Sequence, residues 1–424
     1  MNANIPITNK KRVVIIGGGF GGLQLSQDLI KSDYQVVLVD RNNYFQFQPL
    51  FYQVATAGLE PSSIAFPFRK IFQKHKEFHF RLTDVLSIHP ERNEIETKLG
   101  KIQFDYLVIA TGADTNFFGN KNIAEKAMPM KSISEALALR NRIFLRLEDA
   151  LTTSSEEELQ MYMNIVIVGG GPTGVEVAGT LAEMRKFILP KDYPELDFSK
   201  MKIYLVEGSP RVLNAMSDVS SKKAAVYLEK LGVNLIVNSV VEDYDGDTVR
   251  LKDGTTIPSK NLVWSAGVVG NRIEGLAEEC NAPGGRTFVD LFNKVIGSEN
   301  IFAIGDIACM ISENYPKGHP QMAQPAIQQG RNLAANFKRM TKKQPLKPFR
   351  YMNLGNMATV GRNKAVVEFP RYKFQGFIAW VLWLVVHLKS ILGVKNKFVV
   401  LLNWIWNYMT YNLSLRLIIK PKNK

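Results

Sequence analysis

The chain has 424 residues, of which 46% are hydrophobic and 22% charged, as expected for a globular protein with two or three domains. Its net charge of +14 would suit nucleic-acid binding, but residues 338–424 hold 17 Lys and Arg against one acid, Glu368, whereas residues 1–337 sum to −2. Only two cysteines occur, Cys280 and Cys309, which excludes a disulfide framework and favours a reducing compartment. The polar N-terminus predicts no secretory signal peptide.

The first recognisable element is a buried strand that runs into a glycine loop. Residues 13–16 are Val-Val-Ile-Ile, and Gly17, Gly19 and Gly22 then follow the pattern G-x-G-x-x-G. The first glycine permits a sharp turn, the second lets backbone approach a pyrophosphate, and the third lets the next helix pack on the strand. Asp40 ends the following strand, where an acid can bind a ribose hydroxyl. This order of elements predicts a dinucleotide-binding fold.

The same device occurs a second time. A buried Ile-Val-Ile-Val strand leads into Gly169, Gly171 and Gly174, and Glu207 ends the next strand. Two such folds predict two bound dinucleotides, and a flavin with a nicotinamide is the natural pair because hydride can pass between them. Glu207 would accept from a ribose diol and repel a 2′-phosphate, which favours NADH over NADPH, although Arg211 nearby weakens that preference.

Between the two folds lies an aromatic segment, residues 43–56, which is short of charge and interrupted by Pro49. Packing in the core would explain it. A flat isoalloxazine ring, however, needs apolar walls with a few polar contacts, and Gln48, Gln53 and Thr56 could supply them. The segment therefore favours a flavin wall, with ordinary core as the alternative.

Three more buried strands each end in a small turn. They lead into Thr111-Gly112, Gly267 and Gly305-Asp306. An isolated Gly-Asp is a common turn, but together with the N-terminal fold it would place Asp306 near a flavin ribityl chain. The apolar spacing between residues 132 and 151 predicts a helix.

Two helix starts carry polar side chains with a chemical use. Glu176 lies in the first turn after the second glycine loop, where the helix dipole stabilises a carboxylate by roughly 0.3–1 kcal/mol. The same carboxylate beside a nicotinamide and a flavin could instead handle protons. Gln324 and Gln328 are four residues apart and share one helix face.

These motifs together resemble the type II NADH:quinone oxidoreductases, which are single-subunit flavoproteins that do not pump protons. The glycine loops occur throughout the wider superfamily and are weakly diagnostic. Much more specific are Phe-Gln-Pro-Leu-Phe-Tyr-Gln-Val at 47–54, Ala-Gln-x-Ala-x-Gln at 323–328 and the amphipathic tail, and the resemblance spans essentially the whole chain. One departure is Pro325 in the quinone-side motif, where a proline is tolerated only near a helix start.

The residues and the resemblance together assign three sets of contacts, with Glu176 and Gln324 as the catalytic pair. Those for FAD, bound non-covalently, are Gly17, Gly19, Phe20, Gly21, Gly22, Asp40, Gln48, Pro49, Thr111, Gly112, Gly305, Asp306, Ala323 and Gln324. Those for NADH are Gly169, Gly171, Pro172, Thr173, Gly174, Glu176, Glu207 and Gly267. Those for the quinone are Gln324 and Gln328. No metal is expected.

The basic tail contains two hydrophobic stretches. The ten apolar residues 377–386 would make about 15 Å of helix, which is too short to cross a bilayer. Residues 398–419 are long enough and contain only one charge, Arg416. Their polar stripe, Asn403, Asn407, Thr410 and Ser414, and the surrounding Trp and Tyr favour a helix that lies in an anionic membrane surface. A single membrane span and a buried homodimer interface are the alternatives.

The predicted fold class is α/β, with two Rossmann-like domains and a C-terminal amphipathic helical module that binds the membrane. We expect an FAD domain at 10–115 and 289–340, an NADH domain at 116–288 and the membrane module at 341–424. The expected reaction transfers hydride from NADH to FAD and then two electrons to a membrane quinone. The resemblance implies the cytoplasmic face of a bacterial inner membrane. No nucleic-acid partner is expected.

Two other functions are compatible with the motifs. A sulfide:quinone reductase shares the fold but uses a cysteine pair at the flavin, and neither Cys280 nor Cys309 has the expected setting. A membrane-bound NADH sensor without catalysis would bind both cofactors and signal through the tail. Disulfide reductases are excluded because the sequence contains no C-x-x-C or C-x₄-C.

Overall fold

The structure is a computed structural model that describes residues 3–411, 413 and 415–419. Its helices are α1 (Phe20–Leu29), α2 (Phe51–Ala55), α3 (Pro61–Ile64), α4 (Phe68–Phe72), α5 (Lys121–Lys126), α6 (Ile133–Thr152), α7 (Glu156–Met163), α8 (Pro172–Phe187), α9 (Leu189–Asp192), α10 (Asp218–Lys230), α11 (Ala323–Thr341), α12 (Gly376–Ser390) and α13 (Val394–Thr410).

Its strands are mostly short. They are β1 (Lys11–Ile16), β2 (Tyr34–Asp40), β3 (Tyr44–Gln46), β4 (Ala65–Pro67), β5 (Phe78–Leu82), β6 (Val85–His89), β7 (Glu94–Thr97), β8 (Gly100–Gln103), β9 (Tyr106–Ile109), β10 (Ala113–Thr115), β11 (Met128–Pro129), β12 (Ile165–Val168), β13 (Ile203–Val206), β14 (Val233–Ile236), β15 (Val241–Tyr244), β16 (Thr248–Leu251), β17 (Thr256–Pro258), β18 (Leu262–Trp264), β19 (Val268–Gly270), β20 (Asn281–Ala282), β21 (Arg286–Val289), β22 (Ile301–Ala303), β23 (Ala308–Met310), β24 (Asn356–Gly361), β25 (Lys364–Glu368) and β26 (Lys373–Gln375).

The chain divides into two compact units. Unit 1 comprises residues 3–45, 66–114 and 268–353, and unit 2 comprises 46–65, 115–267 and the described residues from 354 onward. The C-terminal region therefore belongs to the same unit as the second nucleotide-binding fold. The domain boundaries expected from the sequence stay a prediction.

Unit 1 is built on a five-stranded parallel sheet with the order β22-β9-β1-β2-β5. Val13, Val14 and Ile15 of β1 are completely buried, as a central strand covered on both faces requires. α1 and α11 pack against each other. The first glycine loop lies at the carboxyl end of the central strand β1, which is where open α/β sheets bind ligands.

Unit 2 repeats this architecture. Its parallel sheet has the order β11-β18-β12-β13-β14, and the second glycine loop follows the central strand β12. The predicted helix at 132–151 is confirmed as α6, which begins with a capping box between Ser132 and Glu135. The α/β class with two Rossmann-like folds is thus confirmed.

The C-terminal region differs from the sequence prediction in two respects. First, it contains an antiparallel sheet, β24-β25-β26, that the sequence did not indicate. Second, residues 398–419 do not form one helix, because α13 ends at Thr410 and Tyr411 adopts a left-handed backbone with φ 53°. Ser414 lies outside the described residues. Among the helices described, we find none with the length and hydrophobicity needed to cross a membrane.

Candidate functional site

The first glycine loop has the geometry of a phosphate cradle. A Cβ on Gly22 would lie 1.9 Å from the carbonyl oxygen of Gly17, and a Cβ on Gly17 would lie 2.3 Å from that of Ala110, so only glycine fits at both positions. Gly19, in contrast, faces open space and directly precedes α1. The loop therefore leaves room for an anion at the positive end of the helix dipole. These residues fit the pyrophosphate of a dinucleotide.

Asp40 is fixed at the edge of the same loop. Its Oδ2 accepts a hydrogen bond of 2.6 Å from the Gly18 N–H, and its Oδ1 accepts one of 2.6 Å from the Asn42 N–H. Burial raises the pKa of Asp40, and these two hydrogen bonds oppose the rise. The carboxylate is thus held beside the glycine loop, where a ribose hydroxyl would bind.

The second loop repeats the first in detail. A Cβ on Gly174 would lie 1.9 Å from the carbonyl oxygen of Gly169, and Gly171 faces open space ahead of α8. The acid is again held by the middle one of three consecutive glycines, Gly169 to Gly171, because Glu207 Oε2 accepts from the Gly170 N–H at 2.5 Å. In the first loop, Gly18 has the same position between Gly17 and Gly19. The two units therefore present two cradles of one design. Gly267, another predicted NADH contact, lies three residues after the end of β18 and has a left-handed backbone with φ +70°.

Two turns predicted to contact FAD lie in unit 1. Thr111 Oγ1 donates to the Asn271 carbonyl at 2.7 Å, and Gly112 beside it has φ +67° and faces open space. The Gly305 N–H donates to Gln329 Oε1 at 2.7 Å at the start of a single 3-10 turn that includes Asp306. The structure places both turns in the unit that holds the first cradle.

The glutamine motif begins α11. Ala323 is its first residue and Pro325 its third, which is within the turn where proline is tolerated. Gln324 is half-buried. Gln328 is engaged elsewhere, because its Nε2 donates to the Met352 carbonyl and its Oε1 accepts from the Met352 N–H, both at 2.9 Å. A quinone contact by Gln328 would have to compete with this pair of bonds.

Glu176 is almost completely buried in α8, with 7% of its surface exposed. Its Oε1 accepts a long hydrogen bond of 3.5 Å from the Thr359 N–H, and the nearby side chain of Trp383 also lowers its pKa. Burial outweighs both contacts and raises the pKa of Glu176 to about 8. The carboxyl group can therefore hold or release a proton near neutral pH, as a proton-transfer residue must.

A cavity of about 140 Å³ lies beside Glu176 within unit 2. Thr359, which bonds Glu176, lines it, and so does Thr180, whose hydroxyl donates to the Glu176 carbonyl at 2.8 Å. Trp383 and Trp404 of the C-terminal helices form part of its wall. The cavity thus has aromatic walls, and Thr359 connects it to the buried carboxyl group of Glu176.

The predicted aromatic segment contributes to the same cavity. Gln53 and Thr56 line it, whereas Gln48 is exposed in a 3-10 turn with Pro49. The Gln53 amide is fixed at both ends, since its Oε1 accepts from Trp404 Nε1 and its Nε2 donates to the Tyr52 hydroxyl, each at 2.8 Å. Their role as flavin contacts stays a prediction.

Glu183 is a cavity residue that the sequence analysis missed. It lies two helical turns after Glu176 on α8, and its Oε1 accepts from the Arg362 N–H at 2.6 Å. Burial raises its pKa. Spacing of seven residues from Glu176 was visible in the sequence, but the burial of Glu183 depends on β24, which the sequence did not reveal.

Two asparagines of α13 face the protein: Asn407, which belongs to the predicted polar stripe, and Asn396, which precedes it. Asn407 Nδ2 donates to the Gly58 carbonyl at 3.3 Å, and Asn396 Nδ2 donates to the Ala65 carbonyl at 3.2 Å. The opposite face is apolar and exposed. It includes Phe398, Leu401, Leu402, Ile405, Trp406 and Met409. The two amides bond the main-chain carbonyls of Gly58 and Ala65, and the hydrophobic side chains on the opposite face point outward.

Comparison with known proteins defines the class first. The model of the pyridine nucleotide-disulphide oxidoreductase family matches residues 11–330, and that of the NDH2 C-terminal domain matches residues 353–411. The class is therefore that of two-dinucleotide flavoprotein oxidoreductases, in agreement with the two cradles.

Individual relatives narrow the class. The type II NADH:quinone oxidoreductase Ndh of Mycobacterium tuberculosis is 37% identical, with 95% of this chain and 89% of the relative covered. The type II NADH:quinone oxidoreductase of Haemophilus influenzae is 30% identical over 84% of this chain and 86% of its own. The structure of NDH2 from Plasmodium falciparum in complex with NADH superposes with a TM-score of 0.88 at 21% identity, covering 97% of this chain and all of that one. This chain belongs to the type II NADH:quinone oxidoreductase family.

Proposed function

We propose that this chain oxidises NADH, with FAD bound non-covalently in unit 1 and NADH in unit 2, and reduces a membrane quinone without pumping protons. The observation that carries the proposal is the pair of cradles, each with a glycine loop and an acid held by its middle glycine. Bound FAD supplies the chemistry that no side chain can, since it accepts a hydride and gives up two electrons.

The chain's own residues position the two dinucleotides. Gly17 and Gly19 would let backbone amides approach the pyrophosphate of FAD, and Asp40 would accept from its ribose. Gly171 and Glu207 would do the same for NADH. Because two main-chain N–H groups fix the Glu207 carboxylate beside the loop, it favours the diol of NADH over a 2′-phosphate.

Quinol formation consumes two protons at a site shielded from water, and Glu176 suits that need. With a pKa of about 8, its carboxyl group holds a proton at neutral pH and can give it up to a reduced quinone oxygen. The cavity beside it offers aromatic walls on which a flat ring can pack. In unit 1, Gln324 can donate an amide hydrogen bond to a carbonyl oxygen, and with Gln328 it stays the predicted quinone contact.

We further propose that the exposed apolar face of α12 and α13 inserts into the interface of an anionic membrane. Phe377, Ile378 and Val385 of α12 and Phe398 and Met409 of α13 are each more than half exposed. Lys389, Lys395 and Lys397 lie between or beside these side chains, where anionic lipid headgroups would attract them. The same proposal places the chain on the cytoplasmic face of a bacterial inner membrane and allows it to form a homodimer there.

The two alternative functions have less support. A sulfide:quinone reductase needs reactive thiolates, whereas Cys280 and Cys309 are buried and burial raises the pKa of both thiols. An NADH sensor would need no buried carboxyl group with a shifted pKa.

A visible absorption spectrum of the purified full chain tests the proposal. We expect a flavin spectrum that bleaches when NADH is added and returns when a quinone is added. Sulfide should not bleach it. A colourless protein, or a flavin that NADH does not bleach, would overturn the proposal.

A further inference from the structure

The loop between β13 and α10 is fastened twice to one residue of the second cradle. The Gly170 N–H donates to Glu207 at the start of the loop, and the Gly170 carbonyl accepts from the Leu213 N–H at 2.7 Å. The N–H and C=O of one residue are only a few ångströms apart. Arg211, between Glu207 and Leu213, is therefore anchored close to the acid that is proposed to bind the adenosine ribose.

An arginine at such a position normally has a recognisable use. In dinucleotide folds, an acid at the end of this strand binds the ribose diol of NAD, and an arginine nearby accommodates the 2′-phosphate of NADP. This chain carries both, Glu207 and Arg211, and the two residues would favour opposite cofactors.

The guanidinium of Arg211 is held within its own loop. Its Nε donates to Asn214 Oδ1 at 3.2 Å, and one terminal nitrogen donates to the Met216 carbonyl at 3.3 Å. The other donates to Asp218 Oδ1 at 3.1 Å. All three nitrogens of the Arg211 guanidinium therefore bond to residues at or just before the start of α10.

Asp218 is the charged member of this arrangement. Its second oxygen pairs with Lys222 Nζ at 2.7 Å, one turn further along α10. Its first-turn position is favourable for an acid, so α10 orients the carboxylate that retains Arg211. Asp218 touches no part of the glycine loop in any hydrogen bond among the described residues, which leaves its contact with Arg211 as its link to the nucleotide.

We propose that Asp218 is a specificity-determining residue that holds Arg211 away from the 2′ position and so reinforces the rejection of 2′-phosphorylated nucleotides by Glu207. The inference rests on the proposed binding of NADH in unit 2. Glu207 repels the 2′-phosphate directly, whereas Asp218 pairs with the Arg211 guanidinium, which would otherwise bind that phosphate. Removing Glu207 alone therefore leaves the second barrier in place.

The test compares NADP⁺ affinities in the full-length, FAD-loaded chain. We expect Glu207→Gln/Asp218→Asn to bind NADP⁺ with a Kd about threefold to fivefold lower than Glu207→Gln alone, the range for losing one exposed ion pair. Binding of NAD⁺ should be the same in these two variants. Isothermal titration calorimetry measures both constants without turnover.

Two further variants make the comparison specific. Glu207→Gln/Glu229→Gln removes an exposed carboxylate further along α10 and controls for net charge, so it should not improve NADP⁺ binding. Adding Arg211→Ala to the double variant should abolish the gain. A gain that persists without Arg211, or no gain at all, would overturn the proposal. Failure of the wild-type chain to bind NAD⁺ would instead overturn the assignment of NADH to unit 2.

Discussion

The buried carboxyl group of Glu176 should make stability depend on pH. Burial raises its pKa from 4.5 to about 8, so the folded chain keeps this proton over a range in which the unfolded chain has lost it. Glu176→Gln replaces the group with an amide of the same shape that never ionises. We therefore expect the variant to be more stable than the wild type at alkaline pH.

The size of this effect follows from the shift in pKa. Between pH 4.5 and about 8, the folded wild type binds more protons at Glu176 than the unfolded chain, and its stability falls. The slope is about 1.4 kcal/mol per pH unit. The variant lacks this loss, so its advantage should grow across that window to about 5 kcal/mol and stay constant above it.

Urea unfolding at several pH values, followed by tryptophan fluorescence, measures the difference between the two proteins. Glu229→Gln, which removes an exposed carboxylate from the same unit, corrects for the lost charge. An advantage of Glu176→Gln that does not change with pH would show that Glu176 titrates normally in the folded chain. The proton-holding role proposed for it would then be refuted.

Three further predictions concern the donor, the acceptor and the membrane. Glu207→Gln should narrow the preference for NADH over NADPH, because it removes the charge that repels a 2′-phosphate; the ratio of the two kcat/KM values measures this. Gln324→Leu should slow the oxidation of reduced flavin by quinone and leave the reduction of flavin by NADH nearly intact. Stopped-flow absorbance measures the two half-reactions separately. Ile405→Asp on the exposed face of α13 should weaken sedimentation with anionic liposomes, and added salt should weaken binding of the intact chain without abolishing it.

A different result would refute each of these three predictions. An unchanged ratio of kcat/KM values would show that Glu207 is not at the adenosine ribose. If Gln324→Leu slows only the reduction of flavin by NADH, Gln324 does not contact the quinone. Val219→Asp, at a similarly exposed apolar position on α10, is the control for Ile405→Asp, and equal loss of liposome binding by both would show that α13 has no special role.

Local pattern was sufficient to predict both cradles. A glycine loop after a buried strand has one common use, and the acids at Asp40 and Glu207 are fixed by their distance in sequence from the loop. Each acid is in fact held by the N–H of the middle glycine, Gly18 or Gly170, so the geometry depends on residues close to the motif.

The C-terminal region could not be predicted in the same way. β24 packs on α8 so closely that a Cβ on Gly179 would lie 2.1 Å from the carbonyl oxygen of Val360, and nothing in the local sequence announces this contact. The polar stripe of α13 predicted a helix that lies in a membrane surface, but it could not show what the asparagine side chains bond. Asn396 and Asn407 bond the main chain of residues 58–65, more than 300 positions earlier, and only the folded chain shows it.

The cavity beside Glu176 depends on the same distant contacts. Gln53 and Trp404 are 351 residues apart yet share a hydrogen bond of 2.8 Å at its wall. The sequence indicated that residues 43–56 were too aromatic for a surface loop, but it could not name their partners. The raised pKa of Glu176 likewise arises from burial by β24 and α12 rather than from its place on the helix.

Quinone-dependent oxidation of NADH by the purified full chain is the decisive measurement for the proposed reaction. The protein should be assayed in liposomes that contain a membrane quinone, with NADH and quinol followed together under anaerobic conditions. We expect each NADH oxidised to yield one quinol and to consume one proton, with no proton translocated across sealed vesicles. Oxidation of NADH that does not depend on quinone, or no oxidation by a chain that holds FAD, would contradict it.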